Sequence, residues 1–207
     1  MAIKSEREYR TLMLPDMQFR AAEQEGEEPQ YIVEGYATTY DDPYTWMTFD
    51  GVDYKETISR DALAGADMSD VIFLYNHEGM VYARQSNGTL ELSSDEKGLH
   101  VRADLGSTEA SREMFESIKA GLVTQMSWAF TIAADDYDEE THTRMIRSVK
   151  KVYDVSAVSI PANPSTDISA RSYFEGVIEE ERRRERERAE KIERIKELLK
   201  GANPNEH

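Results

Sequence analysis

Val123-Thr124-Gln125-Met126-Ser127-Trp128-Ala129-Phe130-Thr131-Ile132-Ala133 reads as a buried β-strand that carries a serine. Its length and its aromatic and β-branched content suit a pleated, enclosed surface. Upstream, Ser107 to Ala120 predicts the clearest helix of the body. It has a Ser/Thr start, a glutamate in the first turn, an apolar stripe at Met114, Phe115 and Ile118, and Gly121 as its stop. Downstream, Asp135-Asp136-Tyr137-Asp138-Glu139-Glu140 predicts an acidic hairpin tip. Thr143 to Ile160 predicts one long return strand or two, ending at Pro161-Ala162-Asn163-Pro164.

Further strands lie towards the N-terminus. Leu99, Val101, Ala103 and Leu105 alternate with His100, Arg102 and Asp104, the pattern of a half-buried strand. Gly88 to Leu92 precedes it across a turn at Ser93–Gly98, and Val71 to Tyr75 is an apolar run that delivers Asn76-His77. Tyr9 to Leu14 and Tyr31 to Tyr40 predict two more strands. The polar stretch Glu23–Pro29 predicts an exposed loop. Trp46, Phe49 and Gly51 fall in a predicted loop running to about Lys55, and Ser59 to Leu63 predicts a short helix. The sum is six to eight strands with one or two helices. We expect a β-rich α+β fold: a closed or nearly closed antiparallel β-barrel with one or two packed helices, because closure removes exposed edges. A charged C-terminal helix follows.

The period changes from about Tyr173. Glu179–Arg183, Glu180–Arg184, Glu187–Lys191 and Glu190–Arg194 stand four apart with the acid N-terminal, the better orientation on a helix. Phe174, Val177 and Ile178 form an apolar patch at one end, and Ile192, Ile195, Leu198 and Leu199 another at the other. This predicts a solvated helix with two sticky ends rather than a coiled coil. The expected organisation is an N-terminal strand and loop over 1–30, a main domain over 31–172, the helix over 173–200 and a tail over 201–207.

Composition limits the function. The 207 residues carry a net charge of −16 and no cysteine. The charge disfavours nucleic-acid binding. The missing thiols remove disulfides, thiolate zinc sites and cysteine nucleophiles. No apolar run is long enough to span a bilayer, and the opening residues lack the apolar core of a secretory leader. There is no Gly-x-Ser-x-Gly elbow, zinc motif or phosphate loop, so no cofactor and no metal are expected. The acidic cluster at 135–140 lacks calcium-loop spacing.

Three residues have the chemistry of acyl transfer. His77 is a strand-end histidine, surface or structural in the ordinary case, but able to accept a proton at neutral pH. Ser127 is either a hydroxyl satisfied by backbone or a nucleophile in a rigid seat. Asp154 is either a solvated strand-end carboxylate or the acid that orients an imidazole. His100, on a polar strand face, fits a surface position. His142 is the rival to Asp154 as third member.

Five stretches together resemble the prohead (head maturation) serine proteases of tailed phages, whose fold is similar to that of the herpesvirus assembly protease. They are Glu34-Gly35-Tyr36-Ala37, Leu74-Tyr75-Asn76-His77-Glu78, Lys97-Gly98-Leu99-His100-Val101, Lys119–Leu122 with Gln125–Phe130, and Asp154-Val155-Ser156-Ala157-Val158-Ser159-Ile160-Pro161-Ala162-Asn163-Pro164. The resemblance implies Ser127 as nucleophile, His77 as general base and acid, and Asp154 as the orienting acid. Ala129 stands where many relatives have Gly, and Asp154 where many have Glu. It implies a serine endopeptidase that cleaves the scaffold protein, or the scaffolding segment of the capsid protein, and itself. Its partners would be capsid and scaffold proteins and copies of itself, with no nucleic acid and no membrane. Its place would be the host cytoplasm, inside the assembling procapsid. Two rival expectations stand beside this: a non-catalytic capsid-assembly or scaffolding protein that retains the fold, and an unrelated β-barrel binding module. The second requires His77 and Ser127 to lie far apart.

Overall fold

The computed structural model describes residues 7–12, 31–159 and 168–201. Among these, ten strands and two α-helices form. The order is β1 (Glu8–Leu12), β2 (Ile32–Thr39), β3 (Tyr44–Phe49), β4 (Val52–Ile58), β5 (Ile72–Tyr75), β6 (Glu78–Arg84), β7 (Leu90–Ser94), β8 (Gly98–Asp104), α1 (Glu109–Lys119), β9 (Gln125–Asp138), β10 (Thr143–Val158) and α2 (Ile168–Gly201). Two compact units result, residues 1–167 and 168–207.

The first unit is organised on the antiparallel pair β9–β10. A seven-stranded sheet runs β1-β9-β10-β4-β3, with β5 also on β10 and β6 on β5. A second, three-stranded sheet runs β2-β8-β7. Both sheets and α1 share one core, in which Trp128, Phe130, Phe73, Leu99, Val101 and Phe115 are buried. The Trp128 and Phe130 rings stack at 3.9 Å. Gly98 marks a close crossing of β8 and β2: a Cβ there would lie 1.9 Å from the Thr38 carbonyl oxygen. Helix α1 starts on Thr108, whose side chain accepts the Ser111 N–H, and buries Met114, Phe115 and Ile118.

The architecture differs from the expected antiparallel barrel. β4 and β5 both pair with β10 in parallel, β4 through Thr143–Ile146 and β5 through Asp154–Ala157. The chain from Lys55 to Tyr75 therefore runs along one side of β10 in a single direction. Between the two pairings Val149 N–H donates to the Ala62 carbonyl, Asp67 N–H to Lys150 and Val152 N–H to Asp67. The expected helix at 59–63 is absent for the same reason. That segment makes successive four-residue turns (Ala62 N–H to the Ser59 carbonyl, Ala64 N–H to the Asp61 carbonyl), and the Ala62 carbonyl serves β10. Among the described residues no pairing joins the two sheets, so no closed barrel is found.

Other differences have local causes. The loop expected to run to about Lys55 instead forms most of the β3–β4 hairpin, Tyr44–Phe49 and Val52–Ile58. Its turn is Asp50-Gly51, with φ of 50° and 79°, the backbone that Asp-Gly favours between two strands. Of the acidic residues expected at a hairpin tip, Glu139 and Glu140 lie in the β9–β10 turn, while Asp135 to Asp138 extend β9. Asp135 and Asp136 are neutralised there by Arg144 and Arg147, at 2.6 and 2.7 Å. Helix α2 begins earlier than expected, and Glu180–Arg184 is one of its ion pairs. Phe174, Val177 and Ile178 are buried, while Ile192, Ile195 and Leu198 are exposed. The expected loop at 23–29 and the Pro161–Pro164 turn lie outside the described residues.

A buried ion cluster ties β1 to the sheet. The Arg10 guanidinium donates to Glu56 (Nε–Oε1 2.5 Å, Nη2–Oε2 2.9 Å) and to Glu8. Arg144 reaches Glu56 at 3.3 Å, and the Tyr44 hydroxyl donates to Glu56. Burial opposes ionisation of Glu56, but the charge and hydrogen bond of Arg10, with Arg144 behind it, outweigh burial and hold the carboxyl below its ordinary value. Burial and the Glu56 charge push the Tyr44 phenol well up.

Arg10→Met would leave Glu56 buried with its main partner gone, and a loss of about 3–5 kcal/mol in urea unfolding is expected. Because the folded-state pKa of Glu56 is lowered, its contribution is present above the unfolded carboxyl value of about 4.3 and disappears as pH falls through the folded value. Thermal unfolding between pH 7 and pH 3 should therefore show a smaller acid-induced drop in Glu56→Gln than in the parent.

Candidate active site

His77 sits at the tip of the β5–β6 hairpin. Tyr75 pairs with Glu78, which leaves a two-residue turn, Asn76-His77, with φ of 52° and 62°. Both central residues are left-handed, the type I′ pattern that suits twisted strands. Asn tolerates this backbone well, and His is the less usual occupant of a position that favours glycine. The tip is clamped to the end of β10. Asn76 N–H donates to the Ala157 carbonyl at 3.0 Å, and Ser159 N–H donates to Asn76 Oδ1 at 3.1 Å.

The register of three strands sets the rest. Thr11 and Ser156 flank Ser127, and Tyr9 and Asp154 flank Ala129. Paired residues point to the same side, so these side chains share one face of the sheet. Trp128, with Arg10 and Val155 beside it, faces the other way.

His77 meets that face at two points. Its Nδ1 lies 2.5 Å from Asp154 Oδ1 and its Nε2 lies 2.6 Å from Ser127 Oγ. A carboxylate only accepts, so Nδ1 carries the proton and Nε2 is left to accept from the Ser127 hydroxyl. The imidazole thus bridges a hydroxyl and a carboxylate, an arrangement that can move a proton off an attacking oxygen. Ser127 is fully buried, Asp154 is 2% exposed, and the His77 side chain is 15% exposed. The Tyr9 ring packs edge-on against His77 at 4.8 Å. Ser127 Oγ has a second acceptor, the Arg10 carbonyl at 2.9 Å. Its single proton serves one of the two at a time.

The other histidines stand elsewhere. His142 lies at the β9–β10 turn, beyond the opposite end of β10 from Asp154. It is twelve positions along the chain, and on the order of 40 Å if fully extended. Its Nδ1 faces the Tyr137 hydroxyl at 3.2 Å. His100 is on β8 in the smaller sheet, against the Tyr36 ring. Sequence reasoning left Asn76, Tyr9 and Ser156 without roles. An Asn-x pair between two strand-like runs is a turn signal that could have found Asn76. The two-residue step from Asp154 could have found Ser156. The pairing of Tyr9 with the serine strand had no local signal.

The chain belongs to the caudovirus prohead serine protease family, whose model matches residues 16–179. It is 28% identical over 154 residues to the prohead protease of Enterobacteria phage HK97, which covers 73% of this chain and 65% of that protein. The chain thus spans just under two thirds of that relative's length. Its fold is similar to that of the bacteriophage T4 capsid assembly protease, with a TM-score of 0.50 and 12% identity over 75% of this chain and 98% of that one.

Replacing Asn76 separates its two contributions. Asn76→Gly keeps the left-handed backbone and loses the Ser159 bonds, so a loss of about 1 kcal/mol is expected. Asn76→Val adds a β-branched residue at positive φ, and chemical denaturation should show a clearly larger loss.

Proposed function

We propose that this chain is a serine endopeptidase in which Ser127 is the nucleophile, His77 the general base and acid, and Asp154 the orienting acid. The observation that carries this reading is the unbroken contact Ser127 Oγ–His77–Asp154, at 2.6 and 2.5 Å, in a family member. His77 Nε2 takes the Ser127 proton as Oγ attacks a peptide carbonyl. Asp154 keeps the proton on Nδ1 and stabilises the imidazolium. His77 then protonates the leaving amine, and water, activated by the same nitrogen, releases the acyl group. Because Ser127 has no exposed surface, a peptide reaches Oγ only once the groups over it give way.

The substrates we infer are the scaffold protein, or the scaffolding segment of the capsid protein, and the protease itself, inside an assembling procapsid. Support comes from the family and from a relative named a prohead protease; the capsid assembly protease of similar structure supports the fold. Enclosure in a shell supplies substrate at high local concentration, so weak binding suffices. The alternative, a non-catalytic assembly protein with this fold, keeps the same shape without needing the contacts of His77.

Co-expression with capsid and scaffold proteins, followed by gel analysis of cleavage, separates the two. Ser127→Ala and His77→Ala are each expected to abolish processing, and Asp154→Asn to slow it about 10³- to 10⁴-fold. Processing by Ser127→Ala at the parent rate would overturn the Ser127 assignment and favour the non-catalytic alternative. Helix α2, with its exposed Ile192, Ile195 and Leu198, is proposed to carry the protease into the shell. Deleting residues 174–207 should reduce protease copies per procapsid counted by quantitative mass spectrometry; equal incorporation rejects that role.

A further inference from the structure

We infer that Ser156 is a positioning residue that holds Asp154 in line with His77; this rests on the Ser127–His77–Asp154 reading above. Ser156 is fully buried, two residues from Asp154 on the same strand and directly opposite Ser127 in the β9–β10 ladder. Its hydroxyl donates to Asp154 Oδ1 at 2.9 Å, and its Oγ lies 3.2 Å from His77 Nδ1.

A strand serine ordinarily satisfies itself on nearby backbone. Ser156 instead faces two members of the relay and closes a triangle with them. Oδ1 of Asp154 receives both the His77 Nδ1–H and the Ser156 hydroxyl. Among the described residues these are the hydrogen bonds on the Asp154 side chain. A carboxylate held by one donor can swing about its Cβ–Cγ bond, and a second donor on the same oxygen from a rigid strand fixes the plane. With its proton on Oδ1, the Ser156 oxygen presents a lone pair to the Nδ1–H. When His77 becomes an imidazolium that lone pair gains, so the contact favours the charged form as the reaction proceeds. Among the described residues the Ser156 hydroxyl bonds to Asp154 and His77 and not to the Ser127 oxygen, and so acts through Asp154 and His77.

The test uses the full chain and a fluorophosphonate probe, which phosphonylates an activated serine and needs no known peptide. Ser156→Ala is expected to lower the maximal inactivation rate about ten- to a hundredfold while the half-saturating probe concentration stays within twofold. Adding it to Asp154→Asn should cost nothing further, because the residue acts through that carboxylate. The low-field proton resonance of His77 Nδ1–H should move in Ser156→Ala. Labelling of Ser156→Ala at the parent rate, or full additivity with Asp154→Asn, overturns the inference while Ser127→Ala remains unlabelled. Labelling of Ser127→Ala at the parent rate instead overturns the triad and this inference with it. If Ser156→Ala unfolds, Ser156→Cys carries the same comparison: it keeps the volume with a weaker donor, and a slower rate is expected.

Discussion

The antiparallel ladder between β9 and β10 is the constraint on which the site depends. It places Ser156 across from Ser127 and Asp154 across from Ala129 on one face, and Val155 across from Trp128 on the other. A slip of one residue would turn Ser127 into the apolar core and Trp128 onto the His77 face, so the apolar packing that fixes the fold also fixes the register of the proposed site. The ladder shifts between Val152 and Asp154. Such an irregularity bends a strand and re-aims the side chains beside it. It lies next to Asp154, which reaches His77 at 2.5 Å. The placement of the strands and of the hairpin tip makes that contact.

The two faces are coupled through β1. On the core side Arg10 enters a buried cluster with Glu8, Glu56 and Arg144, and on the other side Tyr9 packs on His77. Burying four charges is expensive, and an apolar cluster of equal volume could be as stable. What charges add is geometry. A five-residue edge strand has few ladder bonds to define its register. A guanidinium bound to two fixed carboxylates allows one register and penalises the others. Here that register sets Tyr9 and Thr11 against the Ser127 face. The parallel path of residues 55–75 along β10 serves the same end, because β4 presents Glu56 at one end and β5 delivers His77 at the other.

Much of this was legible in the residues and some was not. The strand around Ser127, helix α1 and the turn between β7 and β8 follow from local patterns of period and capping. His77, Ser127 and Asp154 were chosen by type, context and resemblance, and the structure places them in contact. The parallel pairing of β10 had no local signature, since a parallel and an antiparallel strand read alike when both faces are buried. The β3–β4 hairpin had one, Asp50-Gly51, which the surrounding aromatic residues obscured. The acidic end of β9 looked like a turn because its neutralising arginines, Arg144 and Arg147, come from the next strand. Charge patterns along the chain do not show such cross-strand partners. Ser156 was in view as part of a motif, but its role needs the third dimension, where a step of two on a strand becomes a shared face.

The resting hydrogen bonds of Ser127 carry one more consequence. Its proton has two acceptors, His77 Nε2 at 2.6 Å and the Arg10 carbonyl at 2.9 Å. In the proposed mechanism, donation to Nε2 is the arrangement from which attack proceeds, and donation to Arg10 leaves the imidazole without the proton it must take. Once Oγ has lost its proton, the Arg10 carbonyl faces it as one acceptor faces another, and that contact becomes repulsive. The position of β1 therefore enters the balance between an idle and an armed serine. The same strand is pinned by its buried arginine, so its carbonyl cannot drift without disturbing the ion cluster on the far face. The stability of that cluster and the readiness of the proposed nucleophile are coupled through one residue, acting by its side chain on one side of the sheet and its backbone on the other.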